Sequence, residues 1–255
     1  MYKEKIMSMH LPRYNENKHS ESIVIFVHGF MGSPDQFETA SESFFELGFS
    51  TASVLLPGHG ISEYTFTGAA YTDWENHLQN EIDKYCEYKN VFIVGHSVGG
   101  LLALNASVGQ SRIKAVAAIF PPLKFYYISG VYRKIKLIFT KNRDIREAYI
   151  KANSIRVTFL TFLLFAKALY QPLALAEKTK KNLAEITVPA LIIHSRGDET
   201  VSFKSAEMFE KGLINSRAEF LRLEASHHGY MYEDERKLAC GAVRNFISSH
   251  RNEQE

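Results

Sequence analysis

The chain has 255 residues, a formal net charge of +2, and 23% charged against 45% hydrophobic residues, an ordinary globular balance with enough length to bury a full core. The near-neutral charge gives no general case for nucleic-acid binding, and no uninterrupted apolar run is long enough to span a bilayer. The opening MYKEKIMSMHLPRYNENKHS lacks the apolar stretch of a secretory signal, and Cys86 and Cys240 show neither metal-ligand spacing nor a disulfide framework, so they are expected to be reduced core residues of a cytoplasmic protein.

Ile23 to Val27 is predicted as a buried strand ending in HGFMGS. Ser33-Pro34-Asp35 predicts a helix start, with the helix running to about Leu47 and stopping at Gly48. A second strand, about Thr51 to Leu56, leads into PGHG, and Thr72 or Asp73 caps a predicted helix through Trp74, Leu78 and Ile82. Residues 91–102, VFIVGHSVGGLL, join a short β-branched and aromatic run to a run of good helix formers. Ser97 therefore falls on a strand-to-helix turn, between Gly95 and Gly99 at the spacing G-x-S-x-G.

Ala115 to Phe120 is the next predicted strand, halted by Pro121-Pro122. Residues 121–185 break the alternation. They contain no convincing strand, look mostly helical, and hold 13 Lys and Arg against 4 Asp and Glu, an excess of +9 against −7 for the rest of the chain. Such a shift marks an inserted element, so the domain reading is a core of 1–120 and 186–255 with a helical cap at 121–185. Beyond it come a strand at Ala190 to His194, a helix at Phe203 to Gly212, a strand at Ala218 to Leu223 and a helix from about Glu233 to Ser249. This order predicts an α/β fold whose mostly parallel sheet is covered on both faces.

A serine hydroxyl needs a general base, an orienting acid and an oxyanion site before it is a useful nucleophile. The turn that carries Ser97 presents its hydroxyl at a helix N-terminus, where free N–H groups favour developing negative charge. Asp198, in SRGDETV, follows one strand, with Glu199 as the alternative acid. His227 and His228, in SHHG, follow the last strand, and the order Ser, Asp, His is a known triad order. The N–H groups of Phe30, after the first strand, and Val98, after the serine, are the candidate oxyanion donors. His28, His59 and His96 sit in glycine-rich turns and are expected to shape loops rather than to catalyse.

The segments HGFMGS, LLPGHG, GHSVGG, GDETV and SHHG together resemble those of the α/β-hydrolase superfamily, and within it the bacterial carboxylesterase and monoacylglycerol lipase group. The resemblance implies an α/β-hydrolase fold with an inserted cap at 121–185. It further implies a triad of Ser97, Asp198 and His227, with Phe30 and Val98 as backbone oxyanion donors. The last loop departs from the group in carrying two adjacent histidines, and its pattern aligns on His227.

The function expected is a serine esterase that needs no cofactor or metal and takes a small-molecule ester. Thioesters, amides and carbon–carbon bonds are the alternative substrates for the same residues, and a noncatalytic small-molecule binder is the alternative of another class. In the cap, Phe159, Phe162 and Phe165 belong to a helix that is apolar around most of its surface, either packed structurally or lining the acyl site. The neighbouring RKIKLIFTKNRDIR is a basic, solvated face that leaves room for transient contact with anionic lipid. Oligomeric state stays open.

Overall fold

The structure, a computed structural model, describes residues 11–60, 63–126, 142–145 and 162–252. A seven-stranded sheet forms its centre, in the order β1-β3-β2-β4-β5-β6-β7. The strands are β1 (Arg13–Asn15), β2 (Ser22–Val27), β3 (Ser50–Val54), β4 (Asn90–His96), β5 (Ile113–Ile119), β6 (Ala190–Ser195) and β7 (Ala218–Leu223). All neighbours pair in parallel except β1, which runs antiparallel to β3.

Both faces are covered, as a parallel sheet requires. In β2, Ile23, Ile25 and Val27 enter one apolar cluster while Val24 and Phe26 enter the other. The first cluster includes residues of α3 (Tyr71–Lys84), α4 (Val98–Ala106), α5 (Phe162–Asn182) and α6 (Lys204–Gly212). The second includes Phe44 of α1 (Glu38–Glu46) and Val243 and Ile247 of α7 (Glu233–Asn252). Each fully buried side chain of this kind contributes roughly 1.5–3 kcal/mol. A short helix, α2 (Glu63–Gly68), precedes α3 and brings Phe66 against Phe30.

The predicted strands and helices of the core are present, with shifts at their ends. Pro34–Phe37 is a 3-10 turn that leads into α1, and Gly48 takes φ 85 after it. α3 starts one residue before Thr72, and Asp73 Oδ2 accepts the Ala70 N–H at 2.8 Å to close its first turn. Strand β1 was not expected. Arg13 pins it by pairing with Asp35 and Glu38, both at 2.6 Å. The cysteines correct the expectation of core residues: Cys86 and Cys240 are unpaired and exposed, each on the outer side of its segment.

Of the 121–185 segment, most of RKIKLIFTKNRDIR and Phe159 lie outside the described residues. The second half of α5 is fastened to the core. Leu175 and Ala176 are buried in it, Asn105 Nδ2 donates to Thr179 Oγ1 at 2.7 Å, and Lys178 pairs with Glu75 at 2.8 Å. No helix among the described residues is long and apolar enough to cross a membrane.

The topology fixes where a site can form. From β2 the chain crosses to β3 on one side, and from β4 it moves to β5 on the other. The loops leaving β2 and β4 therefore part from each other, and such a switch point opens a crevice at the carboxyl ends of the strands.

Candidate active site

Among the described residues, three that are not glycine have left-handed φ: Met31 at 63, Ser97 at 53 and Phe120 at 53. They follow β2, β4 and β5. Backbone strain of this kind costs on the order of 1–3 kcal/mol per residue and gathers at functional sites. Ser97 is the N-cap of α4, its own N–H donating to Ile119 O at 2.8 Å. Val98 is the first residue of that helix, where backbone N–H groups have no intrahelical partner. The β2 loop lies alongside: a β-carbon on Gly29 would stand 3.1 Å from Ser97 Cβ.

Asp198, 1% exposed, is held by the turn after β6. Its Oδ1 accepts the N–H groups of Thr200 and Val201, each at 2.7 Å. Its Oδ2 accepts from His228 Nδ1 at 2.7 Å, and His228 Nε2 stands 3.0 Å from Ser97 Oγ. This is a continuous relay from carboxylate to imidazole to hydroxyl.

The histidine in that relay corrects the sequence expectation, which placed His227 there. His227 exchanges backbone hydrogen bonds with Tyr230, its N–H donating at 2.8 Å and its carbonyl accepting at 3.3 Å. That tight turn sends the two neighbouring side chains in different directions. His227 Nδ1 faces Gly197 O at 3.3 Å and Glu199 Oε2 at 3.6 Å, and the Glu199 carboxylate beside it raises its pKa above the ordinary histidine value. Only His228 reaches both Ser97 and Asp198. Glu199, the alternative acid, is absent from the relay and instead accepts the His228 backbone N–H at 3.1 Å.

The three histidines of the glycine-rich turns, His28, His59 and His96, have structural partners. His28 Nε2 accepts the Leu56 N–H at 3.1 Å, and His59 Nε2 accepts the Met31 N–H at 3.2 Å, tying the PGHG loop to the HGFMG loop. Burial lowers His59 to about 4. His96 Nε2 donates to the His228 carbonyl at 3.2 Å, and loss of solvation, with His228 nearby, lowers it to about 3. The Phe120 ring stands 6.0 Å from the His228 ring. No cluster of metal-ligating side chains occurs among the described residues.

A family model described as Serine aminopeptidase, S33 (Hydrolase_4) matches residues 18–235. The chain belongs to this family. It is a member of the α/β-hydrolase superfamily. It is 24% identical over 234 residues to a thermostable monoacylglycerol lipase of Bacillus sp. (strain H-257), covering 89% of this chain and 90% of that one. Among solved structures it resembles a monoacylglycerol lipase of Paleococcus ferrophilus, with TM-score 0.72, 15% identity and coverage of 94% and 98%. It also resembles a chain from work on LipS and LipT, two metagenome-derived lipolytic enzymes, with TM-score 0.71, 21% identity and coverage of 95% and 98%. At these identities the structural likenesses speak for the fold.

Proposed function

We propose that this α/β-hydrolase cleaves carboxylic esters through an acyl-enzyme on Ser97, with His228 as general base and acid and Asp198 as its orienting carboxylate. The observation that carries the reading is the relay: Asp198 Oδ2 to His228 Nδ1 at 2.7 Å, then His228 Nε2 to Ser97 Oγ at 3.0 Å. With Nδ1–H donated to Asp198, the lone pair on Nε2 faces the serine hydroxyl, as a base must. The esterase and lipase names of the relatives support the choice of ester.

Ser97 Oγ attacks the ester carbonyl carbon as its proton passes to His228 Nε2. The N–H groups of Phe30 and Val98 stabilise the oxyanion, and the tetrahedral intermediate collapses as His228 returns the proton to the departing alcohol. Water then attacks the acyl-enzyme, giving a proton to the same nitrogen, and the carboxylic acid leaves with Ser97 restored.

Residues 121–185 are read as the cap over this site. Phe162 and Phe165, in the first turn of α5, together with Phe159 are assigned to the acyl chain, as an apolar site for a lipid-like tail requires.

The test is turnover of p-nitrophenyl esters and monoacylglycerols of graded chain length by wild type and Ser97→Ala. The family description keeps amides as the second reading, so an aminoacyl p-nitroanilide belongs in the panel. Ester turnover lost in Ser97→Ala supports the proposal. Faster anilide than ester turnover gives the amide reading, and neither turnover nor fluorophosphonate labelling leaves a binding protein.

A further inference from the structure

Two groups beside the relay have no part in the chemistry above: Glu199 and His227. Glu199 is 3% exposed, and burying a carboxylate is costly unless it is paired and hydrogen-bonded. Its oxygens accept the Thr200 hydroxyl at 3.0 Å and the His228 backbone N–H at 3.1 Å, and Oε2 stands 3.6 Å from His227 Nδ1. The consecutive residues Asp198 and Glu199 thus grip consecutive parts of the last loop. Asp198 takes the ring of His228, while Glu199 takes its backbone and the neighbouring imidazole.

We propose that Glu199 is a positioning residue, which fixes the approach of His228 to Ser97 by holding the His228 backbone N–H, with His227 pairing the buried carboxylate. The inference rests on the Ser97–His228–Asp198 reading. Asp198 alone is a single point of attachment about which the imidazole can swing. A second attachment at the backbone, joined by the His96 donation to the His228 carbonyl, fixes the plane of the ring. The raised pKa of His227 fits the same arrangement, since the carboxylate beside it favours the protonated imidazole. The paired histidines and the Glu after the Asp are then one device: the first histidine serves the carboxylate that positions the second.

Two conservative variants separate position from charge. Glu199→Gln keeps side-chain length and an acceptor oxygen for the His228 N–H, while the Thr200 hydroxyl can rotate to accept from the new amide. Glu199→Asp keeps the charge but shortens the reach. Because a misplacement of about 1 Å costs on the order of a hundredfold, Glu199→Asp is expected to lower kcat by roughly ten- to a hundredfold. KM on a short p-nitrophenyl ester should change little, and fluorophosphonate labelling of Ser97 should slow in parallel. Glu199→Gln should stay within about threefold of wild-type kcat. Activities are normalised to active sites by titration, so that a fraction of misfolded protein does not count. Wild-type kcat in Glu199→Asp overturns the proposal, as does a Glu199→Gln protein that is no better than Glu199→Asp. Failure of the triad reading is distinguishable, because it would show as retained activity in Ser97→Ala.

Discussion

Gly99 lies so close to Val27 that a β-carbon on it would fall 2.1 Å from the Val27 carbonyl oxygen. The obstacle is main chain of β2 and cannot rotate aside. On the other side of the serine, a β-carbon on Gly95 would fall 2.3 Å from Gly99 O. The two glycines of G-x-S-x-G thus let β4 turn into α4 directly above β2, which puts Ser97 beside the β2 loop. Gly99→Ala must move the elbow. Overpacking of this kind costs about 1–3 kcal/mol or more, and a displaced serine loses its alignment. Urea unfolding should show the lower stability, and kcat/KM should fall by at least about tenfold. Unchanged values for both would mean that the close approach is not real.

The paired histidines should separate cleanly. His228→Ala removes the group between Ser97 and Asp198 and should lower kcat on the order of 10⁴-fold or more, since triad members act as a unit. His227→Ala should lose far less, because its imidazole meets Glu199 and Gly197 rather than the serine. Steady-state kinetics on one p-nitrophenyl ester checks both, and the reverse ranking would return the base to His227.

Asp198→Asn carries a sharper expectation than a simple loss of charge. Oδ1 accepts two backbone N–H groups at 2.7 Å, so the asparagine oxygen must take that place. Its NH2 then faces His228 Nδ1, which is forced to accept, and the proton moves to Nε2, where it blocks the serine. Folding should survive while kcat falls by roughly 10³–10⁴-fold. Activity within tenfold of wild type would count against Asp198 as the orienting acid.

On the acid side, His59 at about 4 and His96 at about 3 stay neutral where a catalytic imidazole works. Neither ring should therefore contribute an ionisation to the acid limb of kcat/KM between about pH 5 and 8. A limb with slope one in log(kcat/KM) against pH is expected. A slope of two would bring a second histidine into the mechanism.

Stability has its own pH dependence. Burial is the main cause that lowers His59 to about 4, and His96 and His194 to about 3. Their folded values lie below the usual 6.5, so the unfolded chain binds more protons and stability falls with pH from about 6.5 down toward 3–4. Each contributes a slope of about 1.4 kcal/mol per pH unit at most. His227 has the opposite sign: its raised value adds stability at low pH that is lost as pH rises through it. Urea midpoints should therefore drop between roughly pH 6.5 and 5, and His194→Phe should make the drop shallower. A midpoint constant over that range would contradict the burial of these rings.

The central sheet was legible because strands buried on both faces are written as unbroken apolar runs, as in Ile23–Val27 and Val91–Val94. β1 was not, since Arg13-Tyr14-Asn15 is a three-residue edge strand held by ion pairs and by Tyr14 stacking on Tyr85 at 5.1 Å. The placement of Ser97 and Asp198 just past β4 and β6 was legible from the turns that carry them. Which histidine stands between them was not: two adjacent imidazoles are chemically alike, and the choice depends on the backbone turn at His227–Tyr230. The one available signal was Glu199, a second acid next to Asp198 that gives the His227 imidazole a partner of its own.

The most direct measurement is the mass spectrum of the peptide containing Ser97 after treatment with a fluorophosphonate, taken over time for wild type and His228→Ala. The relay predicts one adduct, on Ser97, formed quickly by wild type and slower by on the order of 10³-fold or more without His228. An adduct on another residue, or labelling of Ser97 at the wild-type rate in His228→Ala, would contradict the account.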